Sequence, residues 1–158
     1  MKKYLKFIAA ALALVGVIMM FFNQVTVEWA SKVKEYLNIR ALVGGTYPHL
    51  GTEFKGVGTG LAGYILLGVA AIILIAVALI PYFKEHDILS VVVTGVAVVC
   101  LIIGIVFLFL IRKNFADANG LESGKVYVGW AAIAGGSLGG LAIIPSGLSM
   151  VLDLTGSN

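Results

Sequence analysis

The sequence predicts an all-α membrane protein, a bundle of four transmembrane helices with a small extramembrane cap between the first and second helices. Composition is the first observation behind this fold class. Of the 158 residues 60% are hydrophobic and only 12% are charged, and the mean hydropathy is +1.04. A soluble domain carries about a quarter charged residues, and a chain this short cannot hide so many apolar side chains in one core. We therefore expect lipid to surround much of the chain.

Four apolar segments are the second observation, because each reaches the length of about 20 residues that spans a hydrocarbon core of about 30 Å. They cover residues 4–22, 60–83, 88–111 and 126–152 within a single membrane domain of residues 1–158. No small-x-small cleavage site follows Phe22, so we interpret the first segment as a retained helix and not as a signal peptide. Lys6 lies close enough to the helix end for its amine to reach the interface.

Two of the connections are short. Residues 84–87 predict a four-residue turn, which makes the second and third helices an antiparallel hairpin. Residues 112–125 predict a polar loop with Asn119 and Gly120 as its turn signal.

The connection over residues 23–59 is long enough to form the cap. Its apolar and polar residues alternate from Val25 to Trp29, which predicts a short strand. Ala30, Val33 and Leu37 then recur at helical spacing until Gly44 and Gly45. We therefore expect one strand and one helix.

Lysines indicate the orientation. Lys2, Lys3 and Lys6 precede or open the first helix, and the basic residues beside that helix usually set the topology. The larger raw number of basic residues in the other loops favours the opposite orientation. We expect a multi-pass protein of the cell membrane with both termini in the cytoplasm. The single cysteine and the absence of a glycosylation sequon fit a bacterial protein.

Two stretches match nucleotide-binding patterns only in their letters. Gly58–Gly63 reads G-x-G-x-x-G but opens a membrane span, and Gly120–Val126 is one residue short of a Walker A loop and lacks its Ser or Thr. His49 and His86 flank the second span, so they lie on opposite sides of the membrane and cannot share a metal ion. Cys100 lies in mid-span without a second thiol. We therefore predict no cofactor and no metal.

Enzymatic activity is not predicted either. Ser137, Ser146 and Ser149 lie in the fourth segment without an acid, base or histidine at their depth. No predicted span contains an ionisable residue in its interior, whereas pumps and coupled transporters mark their pathways with such residues. This pattern argues against a self-contained ion-coupled transporter, while a passive pore remains open.

Small residues in the fourth segment are the candidate packing or assembly site. They are Ala131, Gly135, Gly139 and Gly147 on one row, with Gly136 and Gly140 beside it. Small residues four apart let helix backbones meet closely. The contact could lie within the chain or between protomers, and we favour protomers because the row is long. Trp29 and Tyr36 are candidates for contact in the outer loop, because amphipathic aromatic rings are favoured at interfaces.

The layout of a long first outer loop, a short inner turn, a short second outer loop and four spans resembles that of claudins and related tetraspan proteins. Those families carry a tryptophan and a cysteine pair in the first outer loop. Trp29 is present here but the loop has no cysteine, so the resemblance covers architecture and not a motif. The chain also resembles small four-span proteins of Gram-positive bacteria.

The functional hypothesis is a non-enzymatic membrane protein that acts through assembly, as a homo-oligomeric structural protein or as an accessory subunit. Its expected partners are the lipid bilayer and either itself or another membrane protein. Nucleic acid is not expected, because the chain has no run of like charges. The alternative hypothesis is a subunit of a small channel or transporter, with a pore formed by oligomerisation.

Overall fold

A computed structural model describes residues 1–29 and 32–156 of the chain. In this part of the chain, four helices are long and apolar enough to cross a membrane, which supports a multi-pass membrane protein. They are α1 (Lys2–Ile18, extended by a 3-10 turn at Met19–Phe21), α3 (Gly58–Leu79), α5 (Asp87–Phe109) and α7 (Trp130–Thr155). Each falls on one of the four predicted segments.

The long helices pack in the order α1, α3, α5, α7 and back to α1. Ion pairs of Lys2 with Asp87 and Asp153 join the start of α1, the start of α5 and the end of α7. We call this end of the helices the terminal end. The opposite end, which carries the β-strands, is the cap end.

The long helices are apolar on their outer surface as well as between one another, unlike the helices of a soluble protein. Large apolar side chains face outwards, and Ile88 and Leu154 are 79% and 67% exposed. Leu67, Leu74 and Leu101 fill the space between the helices and are fully buried. An outer surface this apolar suits hydrocarbon, which is as apolar as leucine itself.

Glycines mark the closest approaches between the long helices. A Cβ atom on Gly63 would lie 2.9 Å from the carbonyl oxygen of Gly104, and one on Gly104 would lie 2.8 Å from that of Gly63. Gly16 of α1 and Gly135 of α7 form a similar contact, at 3.3 Å in both directions. The backbones of α3 and α5, and those of α1 and α7, could not approach this closely with larger side chains.

The cap comprises residues 22–57 and 120–129, as far as they are described. It contains a three-stranded antiparallel sheet in the order β2-β1-β5 and a two-stranded hairpin of β3 and β4. The strands are β1 (Val25–Glu28), β2 (Lys34–Leu37), β3 (Gly45–Thr46), β4 (Glu53–Phe54) and β5 (Val126–Val128). Short helices complete the fold: α2 (Arg40–Val43) in the cap, α4 (Pro81–Glu85) before α5, and α6 (Ile111–Asn119) after it.

The strand predicted from residue 25 is confirmed as β1, whereas the helix predicted after it is confined to the four residues of α2 (Arg40–Val43). Residues 34–37 form β2, in which Glu35 and Leu37 are buried while Lys34 and Tyr36 are exposed. This two-residue period places one face of the strand against the cap interior. Pairing with β1 supplies the backbone hydrogen bonds that a helix would have supplied internally. Ala30, which was part of the predicted helical spacing, lies outside the described residues.

The second outer connection also differs from its prediction. The loop expected over residues 112–125 contains α6, whose Ile111 and Phe115 are buried, and the turn predicted at Gly120 is confirmed as a left-handed helix end with φ 64°. The fourth span was expected from residue 126, but Val126–Val128 forms β5 and pairs with β1. Gly129 makes this possible, because a Cβ atom there would overlap the backbone carbonyl of Asn23.

The hairpin between the second and third helices is also less simple than predicted. The second long helix ends at Leu79 instead of residue 83, and the short helix α4 occupies Pro81–Glu85. Pro81 at the first position of α4 explains the break, since proline cannot continue the hydrogen bonding of the helix before it.

We expect Gly139→Leu to destabilise the protein and Gly140→Leu to leave it stable. A Cβ atom on Gly139 would lie 2.9 Å from Leu67 and 3.1 Å from Ile105, whereas one on Gly140 would meet nothing within 4 Å. Forcing a side chain into a filled core costs about 1–3 kcal/mol. The free energy of unfolding in mixed detergent and SDS micelles measures the difference. Equal stability of the two variants would contradict the packing of α7 described here.

Candidate functional site

Gln24 attaches the cap to the long helices. Its side chain is fully buried, and its amide donates hydrogen bonds to the carbonyl oxygens of Met19 at 2.6 Å and Phe22 at 3.2 Å. Its own oxygen accepts a hydrogen bond from the Tyr64 hydroxyl of α3 at 2.6 Å. The backbone oxygen of Gln24 also accepts from the N–H of Gly129 at 2.8 Å. One residue therefore connects the end of α1, α3 and the start of α7.

A chain of four aromatic rings forms the base of the cap. Trp29 contacts Tyr47 edge to face at 5.2 Å between ring centroids, Tyr47 contacts Phe54 at 4.9 Å, and Phe54 contacts Phe115 of α6 at 5.7 Å. Trp29 was a candidate for contact with a partner. It lies partly buried in this chain of rings, where it stabilises the cap.

The sheet has one closed and one open face. On the closed face, Val25, Val27, Leu37 and Val126 are buried against the rest of the cap. On the open face, Thr26 of the central strand is paired with Tyr36 on one side and with Tyr127 on the other. Tyr36 is 62% exposed and Tyr127 is 44% exposed. We call the row Tyr36, Thr26 and Tyr127 the tyrosine face.

Polar groups at the edge of the tyrosine face hold it in shape. Glu28 lies opposite Lys34 in the β1–β2 pair, and the Tyr127 hydroxyl donates a hydrogen bond to the Glu28 carboxylate at 3.2 Å. The Tyr127 ring is thereby held over β1. Opposite charges directly across a strand pair also favour the observed register.

A buried carboxylate lies on the closed side of the sheet. Glu35 is fully buried, and one of its oxygens accepts a hydrogen bond from the backbone N–H of His49 at 2.9 Å. Burial, and secondly the Glu35 charge, raise the pKa of the Tyr47 phenol above its ordinary value. Among the described residues, the second oxygen of Glu35 and the indole N–H of Trp29 have no hydrogen-bond partner.

A buried ionic cluster occupies the terminal end. The Lys6 amine lies 2.9 Å from the Asp153 carboxylate and donates to the Ser90 hydroxyl at 3.1 Å, and that hydroxyl donates to the same carboxylate oxygen at 2.8 Å. Lys2 bridges the second Asp153 oxygen at 3.3 Å and Asp87 at 3.2 Å. Lys6 is 4% exposed and Asp153 is 3% exposed. The cluster therefore joins α1, α5 and α7 through a buried pair, Lys6 and Asp153, while Lys2 and Asp87 beside it are partly exposed.

This cluster forms the floor of a cavity of about 360 Å³, which we call the terminal pocket. Lys3 and Lys84 also line it, and Val77, Ala78 and Phe83 form an apolar wall. Both basic and apolar side chains are therefore available to a bound molecule.

The structure corrects the expectation that the amine of Lys6 extends to the interface. Lys6 does not extend to solvent but turns inward to Asp153, which lies one residue beyond the predicted end of the fourth span and inside α7. A buried charge is tolerated when an opposite charge and a hydrogen-bond donor meet it. The sequence contains a signal for this pairing, since Lys2 and Lys6 lie four apart on one helix face.

Three of the candidate assembly glycines make contacts within the chain. A Cβ atom would meet the Tyr64 ring at Gly135, the Phe109 ring at Gly136 and the Leu67 side chain at Gly139. These contacts support the intramolecular alternative and not the contact between protomers that we favoured for this row.

The other members of the glycine row differ among themselves. Ala131 is buried, whereas Cβ atoms on Gly140 and Gly147 would have open space around them. Serines of the same helix bond to its backbone, Ser146 to the carbonyl oxygen of Ala142 and Ser149 to that of Ser146, both at 2.8 Å.

The nucleotide-like stretches have structural roles. Gly60 and Gly63 of the first stretch lie against Ile111 and Gly104, and the second stretch forms a 3-10 turn leading into β5. Within residues 1–29 and 32–156, no three His, Cys, Asp or Glu side chains are placed to hold a metal ion. Cys100 is a free thiol.

Comparisons with protein-family models, with curated proteins and with solved structures found no match to this chain. Functional inference therefore depends on the cap and the terminal end alone.

We expect Asp153→Asn to lower the free energy of unfolding by about 3 kcal/mol, because it leaves Lys6 buried without a counter-charge. Asp117→Asn is the matched control, since Asp117 is exposed on α6. The double variant Lys6→Met with Asp153→Leu should recover most of the loss, because it removes both charges together. Unfolding in SDS micelles measures all three. A single Asp153→Asn variant as stable as the control would show that the ion pair does not hold the helices.

Proposed function

We propose that the chain is a non-enzymatic membrane protein whose four transmembrane helices carry an extramembrane cap, and that it acts through assembly. It assembles with copies of itself or as an accessory subunit, and the tyrosine face is its contact surface. The observation that carries this proposal is the asymmetry of the sheet. One face is fully closed against the cap, while the other presents two tyrosine rings to solvent.

The tyrosine face has the features of a binding surface. Tyrosine is among the residues enriched in the energetically dominant centres of interfaces, because it buries a large rigid ring at little entropic cost. Tyr36 and Tyr127 lie two strands apart, a separation of about 10 Å, with the smaller Thr26 between them. Thr26 itself is buried, so a partner would pack against the exposed sides of the two rings.

The rigid attachment of the sheet to the long helices also supports a role of the tyrosine face in binding. Gln24 and Gly129 fix the sheet to three long helices, so the tyrosine face is presented in one orientation. Binding then costs little additional ordering, which favours affinity. The outer edge of β2 is unpaired within the described sheet, and Lys34 beside it disfavours indiscriminate strand pairing.

The packing between the helices argues against conduction through a single chain. Leu67, Leu74 and Leu101 are fully buried between the helices and separate the ionic cluster at the terminal end from Tyr64 near the cap end. These apolar side chains leave no continuous polar lining through the chain, although Thr94, Ser146 and Ser149 are also buried between the helices. In the alternative function, a channel or transporter subunit, the pore would have to lie between protomers.

We further propose that the terminal end faces the cytoplasm of a cell membrane and that the cap lies outside. In a Cys100→Ala background, Lys34→Cys should react with an impermeant thiol reagent added to intact cells, whereas His86→Cys should react only after the cells are opened. Both positions are exposed, so accessibility depends on the side of the membrane. Labelling of His86→Cys alone in intact cells would invert the orientation.

Assembly through the tyrosine face is tested by Tyr36→Ser combined with Tyr127→Ser. Because both rings are exposed, we expect unchanged insertion and stability but weaker self-association, by at least about thirtyfold for each dominant ring. Light scattering of the purified particle over a dilution series measures the association.

Tyr4→Ser combined with Tyr82→Ser is the matched control, since these tyrosines are also exposed, at 70% and 55%, but lie at the terminal end. The control should keep the wild-type mass. A wild-type particle with the mass of one chain would contradict self-assembly, and equal losses in both pairs would contradict the assignment to the tyrosine face.

A further inference from the structure

The terminal pocket carries more positive than negative charge. Its lining contains four lysines and two aspartates: Lys2, Lys3, Lys6, Lys84, Asp87 and Asp153. The floor of the pocket is internally neutralised, because Lys2 and Lys6 are paired with the two aspartates. Among the described residues, Lys3 and Lys84 take part in no ion pair. Two lysines at the rim are therefore available to an anion.

The floor of the terminal pocket is held together by hydrogen bonds between buried residues. Lys6, Ser90 and Asp153 are almost completely buried and hold one another through bonds of 2.8–3.1 Å. Next to this floor, the amine of Lys2 donates a hydrogen bond to the Asp87 carboxylate at 3.2 Å. Because these groups come from α1, α5 and α7, the pocket has a fixed shape that does not depend on a flexible loop.

The wall of the pocket selects for a ligand that is partly apolar. Val77, Ala78 and Phe83 line it between α3 and α4, and Leu79 and Ile80 beside them expose apolar surface to the surroundings of the helices. A free inorganic anion has no apolar surface, so contact with this wall would not increase its binding affinity. A molecule with a charged head and a hydrocarbon chain could use both the lysines and the wall.

We propose that the terminal pocket binds the phosphate group of an anionic phospholipid, with Lys3 and Lys84 as its direct cationic contacts. Lys2 and Lys6 act through the floor, which holds the pocket open and keeps the helices at the right spacing. The acyl chains lie along the half-buried Phe83 and continue onto the exposed side chains of Leu79 and Ile80. The pocket lies where the long helices end, at the depth of the lipid headgroups when these helices span a bilayer. This inference rests on that part of the proposed function and is independent of the tyrosine face.

The test measures binding of a short-chain phosphatidylglycerol to the purified full chain in neutral detergent. The variant Lys3→Gln with Lys84→Gln should bind it about 25-fold more weakly, since each lysine near an anionic surface contributes about fivefold. Both side chains are exposed and lack ion-pair partners, so the variant should unfold at the wild-type temperature. Lys3→Arg with Lys84→Arg should restore binding, because it keeps both charges.

Two controls separate specific binding from general attraction. Lys113→Gln with Lys125→Gln removes the same charge from exposed positions at the cap end and should leave the affinity unchanged. Short-chain phosphatidylcholine, which has the same acyl chains but no net charge, should bind much more weakly. Equal weakening by the two lysine pairs would overturn the assignment to the terminal pocket.

Inorganic phosphate distinguishes the two possible sources of the anion. Added at millimolar concentration and constant ionic strength, it should compete poorly with the lipid, because it cannot use the apolar wall. Efficient competition would overturn the lipid assignment in favour of a site for soluble phosphate. Phosphatidylcholine carries the same phosphate beside a quaternary ammonium, so equal binding of this lipid would show that the pocket does not select for net negative charge and would overturn the assignment to an anionic phospholipid.

Discussion

The salt bridge between Lys6 and Asp153 is the contact on which the arrangement of the helices depends most. Burial of two charges is costly, and the pair is stable only because Ser90 donates a further hydrogen bond and because Lys2 approaches the second carboxylate oxygen. In lipid, apolar side chains do not drive helices together, so such polar contacts determine which helices become neighbours. The pair joins α1 to α7, and the hydrogen bonds of Ser90 connect both helices to α5.

Close backbone contacts also hold the long helices together. Gly16 meets Gly135, and Gly63 meets Gly104, so α1 packs closely on α7 and α3 on α5. At the cap end, Gln24 and Tyr64 form the corresponding polar link. The helices are thus held by polar contacts at both ends and by close packing between them, which leaves their outer surfaces free to face lipid.

The tyrosine face and the terminal pocket lie at opposite ends of the long helices. The cap is attached firmly enough to present Tyr36 and Tyr127 as a fixed surface, and the ionic cluster is rigid enough to form the floor of the terminal pocket. Fully buried leucines lie between the two ends. On this basis we propose a structural or assembly role and not conduction by a single chain.

Local patterns in the sequence were enough to predict the four long helices, strand β1 and the turn at Gly120, because hydropathy, alternation and glycine act over a few neighbouring residues. The sequence alone also predicted packing positions on α7. Gly135, Gly136 and Gly139 have close neighbours within the chain, which the sequence did not reveal, whereas Gly140 and Gly147 have none within 4 Å. Only the tertiary structure made residues 34–37 a strand, placed Val126–Val128 in the sheet and turned Lys6 towards Asp153. Those outcomes depend on residues far apart in the chain, 147 positions in the case of Lys6 and Asp153. A single-sequence pattern cannot show which distant backbone will offer a hydrogen bond or which distant carboxylate will meet a buried amine.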